Sequence, residues 1–70
     1  MTTTREELLQ TLGQLSVETP DLRFGQIIAN VATLAHGPVA EAIWDAEDDE
    51  MLAAAQRLLE RYRGRKAHVA

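Results

Sequence analysis

"MLAAAQRLLERY", residues 51–62, decides the fold. Met51, Leu52, Ala55, Leu58, Leu59 and Tyr62 recur at i, i+1, i+4, i+7, i+8 and i+11, the spacing of one apolar helix face. The residues before it, Asp45, Glu47, Asp48, Asp49 and Glu50, are acids, which favour the positive end of a helix dipole. Arg57 and Arg61 in its second half, with Arg63, Arg65 and Lys66 after it, suit the negative end. The pattern predicts a helix that starts between Asp45 and Asp48 and runs to Tyr62 or Arg63. Gly64 closes it, and residues 64–70 form a frayed tail.

Two further helices are read upstream. Leu8, Leu9, Leu12 and Leu15 share a face over Arg5 to Leu15, and Thr4 with Glu7 fits a capping box at its start. "SVETP" breaks the chain; Thr19 caps the next helix and Pro20 occupies its first position, where a missing N–H costs nothing. That helix runs from Pro20 to Ala35. "HGP" ends it, because Gly37 accepts a left-handed cap and Pro38 cannot continue the ladder. "VAEAIW", residues 39–44, reads equally as a short helix or an extended connector. No segment alternates with period two. The expected architecture is all-α: one small three-helix domain over residues 1–70, with a short fourth helical turn in the connector as the open alternative.

On a helical wheel the second helix shows three surfaces. Phe24, Ile27, Ile28, Val31, Leu34 and Ala35 form a large apolar face. Arg23, Gln26, Asn30 and Thr33 form a polar stripe. Gly25, Ala29 and Ala32 form a seam of small residues that would let another helix approach closely, either within the chain or in a second copy as a homodimer. On that reading a leucine at Gly25 overpacks the seam.

"DLRFGQIIANV", followed by an aromatic and "EDDEML", resembles small, mostly uncharacterised bacterial and phage-associated helical proteins. In these an Arg-Phe-Gly-Gln helix precedes an aromatic-rich connector and a Glu-Asp-rich helix start. The resemblance spans the last two thirds of the chain, and Asp45 and Ala46 depart from the larger apolar residues usual after the aromatic. It implies an all-α fold and a small accessory protein, and it brings no activity with it.

Composition sets the remaining bounds. Apolar residues make up 46% of the 70 residues, ordinary for a folded domain, and the core of so short a chain is marginal. Cysteine is absent, so disulfides and thiolate metal sites are excluded. The start lacks a basic and apolar leader pattern, and no run approaches the ~18 apolar residues of a membrane span, so a soluble cytoplasmic protein without a membrane partner is expected. The net charge of −4 argues against nucleic acid.

The acidic run could in principle hold a hard cation, but it lacks the glycine and distant glutamate of a calcium loop. Helix capping explains it without an ion, with the carboxyl pKa values lowered as a group. His36 reads as a helix-end cap, and no base stands near Ser16 to activate it. No cofactor, metal site or catalytic constellation is expected. Trp44 is either packed under the connector or an exposed anchor of the kind enriched at binding hot spots. The residues expected to meet a partner are Arg23, Gln26, Asn30, Trp44, Asp48 and Asp49. The function expected is a non-enzymatic protein–protein interaction or regulatory module; the alternative is a nucleic-acid-binding regulator acting as a dimer, since Arg, Gln and Asn also read base edges.

Overall fold

Thr2, Thr3 and Thr4 precede Glu6 and Glu7, so two capping registers are open to the first helix. In the computed structural model, which describes residues 2–68 and side-chain surroundings as far as residue 65, the earlier register is taken. The Thr3 hydroxyl accepts from the Glu6 N–H at 3.1 Å, and the Glu6 carboxylate accepts from the Thr3 N–H at 3.3 Å. Helix α1 accordingly spans Thr4–Glu18, not Arg5 to Leu15, and Gly13 leaves it unbroken.

Thr19 closes this helix; it does not open the next. Its N–H and its hydroxyl both donate to the Leu15 carbonyl, at 3.0 and 2.7 Å, and the residue is buried. The chain then reverses in a turn in which the Leu22 N–H donates to the Thr19 carbonyl at 3.1 Å. Pro20 is the second residue of this turn, a place its fixed φ suits as well as a helix start. Helix α2 therefore begins only at Phe24 and ends at His36. Gln26 reaches back to accept the Arg23 N–H at 2.8 Å, which is the half of a capping box that an arginine N-cap allows, since a guanidinium accepts nothing. The connector supplies the extra turn, α3 at Ala42–Asp45, and α4 runs from Asp48 to His68. Gly64 does not end α4, because it holds a negative φ inside a segment otherwise made of good helix formers. The frayed tail expected from residue 64 is thus helical as far as His68, and residues 69–70 lie outside the described part.

Two ion pairs and one histidine–carboxylate contact show how the helices run. Arg5 meets Asp48 at 2.7 Å and Glu18 meets Arg63 at 3.8 Å, so α1 and α4 start at the same end and lie parallel. His36 meets Glu50 at 3.5 Å, which sets α2 antiparallel to both. The core lies between them: Leu8, Leu12 and Leu15 from α1, Ile27 and Val31 from α2, and Ala54, Ala55 and Leu59 from α4. Met51, Leu52, Leu58 and Tyr62 border it as half-buried residues. The all-α small helical domain stands, with no strand among the described residues.

The small-residue seam of α2 is only partly a packing surface. Ala32 is fully buried and Ala29 is half-buried, but Gly25 is exposed, and a Cβ added there would meet nothing within 4 Å. The reason is the late start of α2, which puts Gly25 in the first turn, beyond the neighbours that cover Ala32. Gly37 is the glycine that the backbone requires. Its φ of 105° and ψ of 168° lie in a region open essentially to glycine alone, and its N–H closes α2 on the Thr33 carbonyl at 2.8 Å.

Two alanine substitutions should therefore act in opposite directions. Gly25→Ala is expected to be neutral or to stabilise by up to ~1 kcal/mol, through helix propensity. Gly37→Ala is expected to cost about 1–3 kcal/mol through backbone strain, although space is open around it. Urea unfolding of both variants checks the pair; loss of stability at Gly25 would show that its face is covered.

Candidate functional site

α3 is a single turn, closed by the Asp45 N–H on the Glu41 carbonyl at 2.8 Å and the Ala46 N–H on the Ala42 carbonyl at 3.0 Å. With each residue advancing about 100°, one side chain faces the bundle and the residue two positions on faces away from it. Ala42 takes the inner place, at 2% exposure, and Trp44 the outer, at 91%. Ile43, between them, is 57% exposed, and Val39 in the preceding loop is 51% exposed. Of the two readings of Trp44, the structure adopts the exposed one. Sequence reasoning missed Val39 and Ile43; the signal available was that Ala42 is the one small residue α3 could turn inward without displacing α2.

Carboxylates surround this turn. Glu41, Asp45 and Glu47 are exposed, and among the described residues their side chains form no ion pair. The acids that follow are occupied with holding α4. The Glu50 carboxylate accepts from the Glu47 N–H at 2.9 Å, and Asp49 accepts from the Glu50 N–H at 2.9 Å. Asp48, half-buried, is bound by Arg5 across an open cleft of about 440 Å³ between the starts of α1 and α4. The backbone N–H of Glu47 holds the Glu50 carboxyl below its ordinary range, with desolvation opposing and His36 assisting. Within the run Asp49 and Glu50 act as caps and Asp48 as an ion-pair partner, and among the described residues no group of three or more acids and histidines is placed to hold a metal ion.

The six residues expected to meet a partner divide between the two ends of the bundle. Trp44, Asp48 and Asp49 lie at the end where α4 starts. Arg23, Gln26 and Asn30 are exposed along α2 and lead away from it. With His36 at Glu50, Gln26 sits ten residues, or ~15 Å, further along the α2 axis. The Gln26 carbonyl oxygen is also engaged as a cap. Phe24, expected on the core face of this helix, is its first residue and is 54% exposed. At this far end the Arg65 guanidinium lies over the Tyr62 ring at 5.8 Å.

Comparison with protein families, with curated proteins and with solved structures gives no match. No helix among the described residues is long and apolar enough to cross a membrane.

The lowered Glu50 pKa has a fixed sign. A depressed carboxyl stabilises the fold above its ordinary value of 4.5, and that contribution is lost as pH falls through the lowered folded value. Glu50→Gln keeps an acceptor for the Glu47 N–H but removes the charge. Its stability deficit against wild type, from urea melts across pH, should be present at neutral pH and close under acid conditions. A deficit that grows towards acid pH would contradict the capping geometry.

Proposed function

We propose that this chain is a non-enzymatic protein–protein interaction module, a regulatory or accessory part that docks through α3. The observation that carries the reading is the sole tryptophan, 91% exposed on a turn whose other side is anchored by Ala42. Tryptophan is enriched among the few residues that dominate binding energy, and it works there when surrounded by side chains that exclude water. Ile43 and Val39 supply apolar neighbours, and carboxylates supply a polar rim. Asp48 and Asp49 lie in the first turn of α4, three and four residues beyond the end of α3, and are engaged there by Arg5 and the Glu50 N–H.

Trp44→Ala and Ile43→Ser test the proposal. Both side chains are exposed, so their unfolding free energies should stay within ~0.5 kcal/mol of wild type. Proteins retained from a native-host extract by the wild-type chain should be lost by these variants, a weakening of roughly 30-fold if Trp44 is a hot spot. Equal retention by wild type and both variants would refute docking through α3.

A further inference from the structure

We infer that the segment docking on α3 is basic and amphipathic: a lysine- or arginine-rich stretch of another protein that places an apolar side chain against Trp44 and Ile43. This rests on reading α3 as the docking element and adds the chemistry of what it takes. Charge complementarity selects this partner. On the α3 turn Glu41 lies three residues before Trp44, on the neighbouring wheel position, and Asp45 follows it. With Glu47 these carboxylates are exposed, and among the described residues no cation pairs with them. The contrast with Asp48 and Glu50 is informative, because Arg5 and His36, the basic side chains at this end of the bundle, are drawn to these two acids and not to the rim of Trp44. From residue 41 to residue 50 the chain carries acids and no base. Such a rim repels an acidic protein, a nucleic-acid backbone or an anionic lipid surface, and it favours cations arranged about an apolar anchor. Burying Trp44 against a partner then excludes water from around these charges and strengthens them.

Trp44, the sole tryptophan, is itself the reporter. The probes are a short amphipathic peptide of lysine and leucine, its glutamate–leucine counterpart, and a lysine–serine peptide of equal charge. Each is titrated into the full chain while indole emission is followed. The lysine–leucine peptide should shift Trp44 emission to the blue, and the other two should not. The complex should weaken at least tenfold between about 0.01 M and 1 M salt, where the screening length falls from ~30 to ~3 Å. A triple variant, Glu41→Gln, Asp45→Asn and Glu47→Gln, which retains Trp44 and Ile43, should weaken it about tenfold. Ile43→Ser, which retains the charge, should do likewise with the same emission readout.

Binding of the glutamate–leucine peptide at equal strength, or indifference to the triple variant, overturns the basic-partner inference. Trp44-dependent capture of proteins from the extract would then still stand by itself. Binding of the lysine–serine peptide as tightly as the lysine–leucine one also overturns the inference, by reducing it to bulk attraction. A concentration-dependent rise in sedimentation coefficient, abolished by Trp44→Ala, would assign the surface to a second copy instead. No emission shift with any peptide refutes the inference outright.

Discussion

The bundle depends on how closely two helices can approach α4 at Ala54 and Ala55. These neighbours on the chain stand about 100° apart around the helix axis, yet both are buried, Ala55 completely. α4 is therefore covered over a broad arc, and α1 and α2 both pack against it while touching each other little. Methyl side chains at the contact shorten the distance between helix axes, so leucines from α1 and the branched residues of α2 reach one shared core. A larger side chain at either position would wedge the three helices apart, in a core whose largest fully buried side chains are only Leu15 and Val31. The close-packed small surface expected on α2 thus exists mainly on α4.

That arrangement makes α1 and α4 parallel, so their dipoles lie side by side with both positive ends together. The sequence places carboxylates at both starts: Glu6 and Glu7 in the first turn of α1, and Asp48, Asp49 and Glu50 in that of α4. Arg5 breaks the pattern, a cation in a first turn, and it is held there by its 2.7 Å bond to Asp48 on the neighbouring helix. Arg5 is exposed and Asp48 only half-buried, so the pair sets register between two helices more than it adds stability. The acidic end of the molecule follows from helix electrostatics first. α3 lies at that end because the chain must pass from the end of α2 to the start of α4.

The periodic parts of this fold were legible. The stripe from Met51 to Tyr62, Leu8, Leu12 and Leu15 of α1 and the close of α2 at Gly37 follow from spacing and from backbone preference, and the structure repeats them; Leu9, expected on the same face, is 61% exposed, since a step of about 100° from Leu8 carries it past the covered side of α1. The boundaries were not, each for a definite reason. Thr3 with Glu6 and Thr4 with Glu7 are the same motif one residue apart, and local sequence cannot rank them. Pro20 fits a helix start and the second place of a turn equally, and Thr19 fits a cap at either end. What separates these options is the burial of Thr19 beneath the turn, which is a tertiary fact. Gly25 shows the same limit. A wheel assigns residues to faces, but whether a face is covered depends on where the neighbouring helix stops. For the candidate site, the sequence singled out Trp44 and the acids, while the direction in which Trp44 points awaited the burial of Ala42.

That direction bears on what a tryptophan at position 44 does for the fold. A tryptophan buries roughly 150–250 Å² when packed, which at ~25 cal/mol per Å² is about 4–6 kcal/mol relative to an extended chain, an upper figure. Domains of this size are stable by only a few kcal/mol, so a side chain that large facing inward would matter. α3 instead turns an alanine inward and leaves Trp44 in water, although a rotation of about 160° about the α3 axis would exchange them. The exchange is barred by packing: Ala42 sits where α3 meets α2, and an indole there would push the connector off the bundle. A smaller or polar residue at position 44 would have met the needs of folding equally well. The tryptophan contributes little to the isolated fold, and this is the physical basis of the docking surface proposed for α3.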